Sequence, residues 1–143
     1  MITLANINDV DGITKLENVS YHNPFRMNEI MDYLLDPLSV ILVDKDNDKL
    51  KGYVIASLDQ NGLYISRITT SKQYQKQGVA TALLNKLIEL AKSHNLKYIK
   101  LHVRIGNKSA IKLYLKNKFK LAKIVPHYYI DTNEPALVLI RKI

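Results

Sequence analysis

The chain has 143 residues and a mass of 16.4 kDa, with 47% apolar and 24% charged side chains, which is enough for one ordinary domain (1–143) with a sizeable core. No apolar run reaches the roughly 18 residues of a membrane span, the absence of cysteine excludes disulfides and thiolate metal sites, and the opening MITLANINDVDG is no secretory signal, so a cytoplasmic location is expected. The net charge of +8 is uneven: residues 1–96 carry 10 basic and 11 acidic side chains while residues 97–143 carry 11 and 2, a cationic third suited to nucleic acid, a polyanionic cofactor or a docking platform such as a ribosome, unless the lysines merely solvate helix faces.

In chain order, MITLANI reads as a first strand, and 9–21 and 26–35 as two short helices joined through HNPF. Three strands follow at 38–44, 49–59 and 63–71, separated by DND and QNG turns, an antiparallel meander. Asp44, Asp46 and Asp48 imitate the start of a calcium loop, but Lys49 replaces its glycine and Ile55 its last glutamate, so a solvated turn is expected. After Gly78, the positions Ala80, Leu83, Leu84, Leu87 and Ala91 fall at helical spacing with Lys86, Glu89 and Lys92 outside. A strand at 96–103, a helix at 107–117 with Asn107 as N-cap, and two strands at 118–125 and 135–142 around the loop DTNE complete the series. The fold class is mixed α/β: a mostly antiparallel sheet of about seven strands with flanking helices and one right-handed parallel crossover over 63–103.

The stretch YQKQGVATALL opens the most regular helix with a lone glycine. A helix start exposes amides without internal partners and carries partial positive charge, so an anion can sit over it where the closest residue lacks a Cβ. Gly78 meets that need, Ala80 is small, Lys76 adds charge and Thr81 a hydroxyl. The alternative is that Gly78 only eases a tight turn. The sequence contains neither G-x-x-x-x-G-K-[ST] nor G-x-G-x-x-G, so nucleotide hydrolysis and dinucleotide binding lose ground. The histidines at 22, 94, 102 and 127 show no zinc spacing, no G-x-S-x-G elbow is present, and no metal is expected.

Gln75, Gly78 and Ala80 opening a long helix, then a strand, then RIGNKSAIKLY and Phe119, resemble the GNAT superfamily of acetyl-CoA-dependent N-acetyltransferases over residues 13–143. NPFRMNEI, LHVRIGNKSAIKLY and HYYIDTNEPALVLI are most similar to the RimI-type protein N-terminal acetyltransferases. The resemblance implies the GNAT fold, with Ile68, Thr69 and Thr70 lending main-chain groups to the pantetheine arm of acetyl-CoA. The loop of Gln75, Lys76, Gln77, Gly78, Val79, Ala80 and Thr81 would hold its diphosphate, and Asn107 and Ala110 would also meet the cosubstrate. It implies that Tyr114 protonates the departing thiolate and that Phe25, Tyr64, Tyr128 and Tyr129 contact the acceptor, with direct attack and no acyl-enzyme. Two departures stand out: Lys118 occupies the place where the family usually has glycine, so the helix must close through Asn117 or a strained lysine, and His102 stands where RimI-type enzymes usually carry a glutamate base.

Acyl transfer from a thioester needs a neutral amine, a stabilised oxyanion and a protonated leaving sulfur. A backbone amide of 67–70 could serve the oxyanion. An α-amine with a pKa of about 7.7–8.0 is roughly a tenth neutral at pH 7, whereas a lysine near 10.4 is not, so a histidine base suffices for an N-terminal acceptor. Strand alternation sets His102 with Tyr98 and Lys100 on a partly polar face, either as base or as a packed strand histidine, and Tyr64 competes for the base role. Tyr114 is either the proton donor or a core tyrosine with one bonded hydroxyl, and the Tyr128–Tyr129 pair either meets the peptide or packs as ordinary strand residues. The expected activity is acetyl transfer to protein N-termini. Small amines or lysine side chains are the rival acceptors, and a non-catalytic nucleic-acid module is disfavoured by the lack of an RNA motif.

Overall fold

The computed structural model describes residues 1–143. The strands are β1 (Ile2–Leu4), β2 (Ser39–Asp46), β3 (Lys49–Asp59), β4 (Gly62–Thr70), β5 (Tyr98–Arg104), β6 (Lys120–Val125) and β7 (Ala136–Lys142). The helices are α1 (Val10–Ser20), α2 (Met27–Leu35), α3 (Val79–Ser93) and α4 (Lys108–Lys116). The strands form one seven-stranded sheet in the order β1-β2-β3-β4-β5-β7-β6, in which β4 and β5 are the single parallel pair. The mixed α/β class and the crossover read from the sequence are therefore present. No helix is long and apolar enough to cross a membrane.

The chain divides into two compact units, Met1–Leu58 with Ser66–Leu87, and Asp59–Ile65 with Ile88–Ile143. In the first, α1 and α2 lay Val10, Ile13, Leu16 and Ile30 against Ile41, Val43, Tyr53 and Ile55 of β2 and β3. Gly52 is required there: a Cβ would lie 2.6 Å from the Thr69 carbonyl oxygen and 2.9 Å from Val79. In the second, β5 alternates as the sequence predicts, with Ile99, Leu101 and Val103 buried and Tyr98, Lys100, His102 and Arg104 half-buried. It pairs antiparallel with β7, His102 opposite Val138 and Arg104 opposite Ala136.

Three local expectations change. The first strand is only three residues long, because Asn6 and Asp9 form a reciprocal cap that turns the chain into a 3-10 turn at Ile7–Asp9. Asp44 is not solvated; it is buried in β2, with the Lys51 ammonium 3.9 Å away. Helix α4 closes through both of the devices the sequence left open, Asn117 as C-cap and Lys118 in the left-handed region at φ 69°.

Candidate active site

The first unit carries the glycine loop. Strand β4 ends at Thr70, a 3-10 turn follows at Lys72–Tyr74, and Gln75 is extended. Lys76 (φ 63°) and Gly78 (φ 81°) then adopt left-handed conformations, the kind of alternation that turns successive amides to one side. The Gln77 side-chain amide donates to the Gln73 carbonyl at 3.2 Å and pins the loop. The Ala82 N–H donates to the Gly78 carbonyl at 3.0 Å, so the amides of Gly78, Val79 and Ala80 precede the helical ladder. Val79 is buried as the hinge, while residues 75–78 are exposed.

A Cβ on Gly78 would have no protein atom within 4 Å. The glycine therefore answers its positive φ, and the space in front of it is clear of the protein's own atoms. A left-handed glycine, an exposed lysine and helix-start amides around open space fit a diphosphate. Of the other residues expected at the cosubstrate, Ile68, Thr69 and Thr70 lie at the end of β4, where the Ile68 carbonyl already accepts from the Tyr21 hydroxyl at 3.2 Å.

The second unit gathers four of the expected residues into one cluster. The Tyr64 hydroxyl and His102 Nδ1 are 2.8 Å apart. The Tyr128 ring stacks on the imidazole at 4.6 Å with an interplanar angle of 13°, and Tyr129 meets Tyr128 edge-on at 4.9 Å. Partial burial, reinforced by the Lys100 and Lys123 ammonium groups, holds the His102 pKa below the ordinary histidine value. The ring is therefore neutral at neutral pH and able to accept a proton. Tyr128 and Tyr129 lie in the β6–β7 connection rather than in a strand, which removes strand packing as their explanation.

That connection is held by Arg104 at the end of β5. Its guanidinium makes two contacts with the Asp131 carboxylate, at 2.9 and 3.0 Å, donates to the Thr132 hydroxyl at 3.0 Å, and lies 4.0 Å from the Tyr129 ring centre. The amides of Tyr128 and Tyr129 both donate to the Glu134 carbonyl at 3.1 Å. Arg104→Met should therefore raise amide exchange at Tyr128 and Tyr129 roughly three- to tenfold, the scale of a part-exposed charge network. Unchanged protection of those two amides in hydrogen-exchange mass spectrometry would show that the loop holds itself.

Also in the second unit, Asn107 caps α4 as expected, its Oδ1 accepting from the Ala110 N–H at 3.3 Å. Tyr114 is buried, 7% exposed, with Phe119 edge-on at 5.6 Å.

Phe25, in the first unit, belongs to a network that the sequence reading missed. Glu17, with no exposed surface, accepts from the Phe25 N–H at 2.7 Å, from Arg67 Nε at 3.2 and 3.3 Å, and from the Tyr53 hydroxyl through a short contact. Burial first, and then Glu17, pushes the Tyr53 hydroxyl pKa far up, so it remains a donor. The signal was available: Glu17 lies four residues after Ile13 on the apolar stripe of α1, and Arg67 alternates with Leu63, Ile65 and Thr69 on the buried side of β4. A charge at each of two inward positions calls for a partner.

The family model described as the acetyltransferase (GNAT) family matches residues 8–119. The chain is 27% identical over 134 residues to a putative [ribosomal protein bS18]-alanine N-acetyltransferase of Bacillus subtilis, covering 93% of this chain and 89% of that protein. It is 26% identical over 148 residues to an N-alpha-acetyltransferase of Sulfurisphaera tokodaii, covering 94% and 88%. Its fold superimposes on the crystal structure of the ribosomal-protein-S18-alanine N-acetyltransferase from Escherichia coli with a TM-score of 0.91 at 23% identity, over 100% of this chain and 93% of that one.

Proposed function

The chain belongs to the acetyltransferase (GNAT) family and is an acetyl-CoA-dependent acetyltransferase, and from that premise we propose that its acceptor is the α-amino group of a protein or peptide N-terminus. The observation that carries the reading is the neutral imidazole of His102, held by Tyr64 at 2.8 Å and covered by Tyr128. An α-amine is partly neutral at pH 7 and needs only such a modest base, whereas a lysine amine would need a stronger one. The two relatives whose names specify N-alpha or alanine N-acetylation support it at modest identity.

Acetyl-CoA supplies an activated acetyl thioester when bound. Amides of the loop from Gln75 to Thr81, with Lys76, hold the diphosphate; the end of β4 at Ile68, Thr69 and Thr70 orients the pantetheine arm. With its Oδ1 engaged in the helix cap, Asn107 offers its amide NH2, and the neighbouring Ala110 leaves room beside it. In the second unit Tyr128 and Tyr129 meet the acceptor peptide, and in the first Phe25 has the acceptor role that the family resemblance implies. His102 takes the proton from the attacking amine while Tyr64 fixes the ring through Nδ1, and the Tyr114 hydroxyl gives a proton to the sulfur. The amine attacks directly, without an acyl-enzyme.

A peptide panel read by mass spectrometry tests the acceptor. Free N-terminal amines should be acetylated in preference to lysine side chains of N-blocked peptides by about 10²-fold or more in kcat/KM at pH 7, the scale that free-base fractions alone already give. Acetylation of blocked lysine peptides or polyamines, with free N-termini ignored, selects the rival.

A further inference from the structure

We infer that Arg67, seated on the buried Glu17 carboxylate, is a positioning residue that sets the acceptor-binding connection between α1 and α2 against the end of β4. This rests on the acceptor reading above only for the acceptor role of Phe25. The contacts themselves lie within the first unit.

The physical argument starts from an energetic oddity. An ion pair with its carboxylate fully buried and its arginine only 21% exposed adds little or no stability over apolar side chains of similar volume, and position 17 lies on the apolar stripe of α1, where leucine would serve the core. What the pair does that leucine cannot is capture main chain. Glu17 takes the Phe25 N–H at 2.7 Å, and Arg67 Nη2 donates to the Asn23 carbonyl at 2.8 Å, so both flanks of Pro24 are held by one pair of side chains. The guanidinium also meets two aromatic rings: its carbon lies 4.1 Å from the Tyr21 ring centre and 4.2 Å from that of Phe25.

The network then continues to β4. The Tyr21 hydroxyl donates to the Ile68 carbonyl at 3.2 Å and lies 2.6 Å from the Thr69 hydroxyl. One arginine thus links the ring of Phe25 and the end of β4 through a chain of direct contacts. Asn23, Pro24 and Phe25 of the same connection, with Asn18 of α1, line an open hollow of about 790 Å³. A residue with this role governs how well the acceptor is received while leaving the chemical groups untouched.

The test compares Arg67→Lys, which keeps the charge but loses the fork and the stacking plane, with the charge-neutral double variant E17Q/R67M, which leaves no buried charge unpaired. For the double variant, the expected result is an acceptor KM raised about tenfold or more, kcat within about threefold of wild type, unchanged acetyl-CoA affinity by calorimetry, and faster amide exchange across 23–26. Arg67→Lys should fall between it and wild type. Folded variants with an unchanged acceptor KM, or with kcat and acetyl-CoA affinity falling together with it, would overturn the assignment. If the wild type turns over a small amine and ignores N-terminal peptides, the acceptor reading fails, and the same KM comparison made with that amine still decides the role of Arg67.

Discussion

Tyr114→Phe should lower kcat by about 10²–10³ while leaving the KM of both substrates close to wild type, because the substitution removes one hydroxyl and no shape. Tyr114 is 7% exposed and rests edge-on against Phe119, so a phenylalanine ring occupies the same space. The loss then reads the chemistry rather than the packing: a departing thiolate without a nearby acid leaves as a poorer group. Steady-state kinetics with an N-terminal peptide, alongside calorimetry showing acetyl-CoA still bound, makes the measurement. Turnover within about threefold of wild type would mean that water protonates the sulfur and that Tyr114 is a core residue with a bonded hydroxyl.

His102→Ala should cost about 10²-fold in kcat/KM at pH 7, and the deficit should shrink as pH rises. Two groups shape that profile. The His102 pKa is held below the ordinary histidine value, chiefly by burial and then by Lys100 and Lys123. The basic form of the ring is therefore gained as pH rises through that lowered value, which gives wild-type activity an additional loss on the acid side of it. The substrate amine, with its pKa of about 7.7–8.0, becomes its own free base above that range and no longer needs help. The variant should thus follow the amine alone, with its rising limb displaced to higher pH. Identical profiles would leave the imidazole as a packed strand residue and pass the proton to water or Tyr64. Tyr64→Phe gives the complementary view, since it removes the hydroxyl 2.8 Å from Nδ1 while keeping the aromatic ring beside His102.

Much of this arrangement was legible in the sequence where period and turn chemistry agree. The alternation of β5 assigned His102 to the half-buried face, and the helical stripe after Gly78 fixed α3. The Asn107 cap was readable because an asparagine side chain can satisfy an orphan amide three residues on. Less legible was anything decided by a partner distant in sequence. The apolar stripe of α1 marks Glu17 as an inward charge in need of a partner, but which residue meets it, Arg67 50 positions later on the inward side of β4, is carried by no local propensity. Asp44 misled for the related reason that its neighbours Asp46 and Asp48 suggested a turn, while the strand continues past it. The clustering of Tyr64, His102 and Tyr128 comes from two strands and one loop meeting, which family likeness implied and local pattern alone did not.

Lys118 holds a left-handed backbone at φ 69°. A side chain in that region costs of order 1 kcal/mol that glycine does not carry, so the fold tolerates a small, removable tension next to the buried Phe119. Stability has not been driven to its limit at this corner: the molecule keeps a margin that glycine at position 118 would recover.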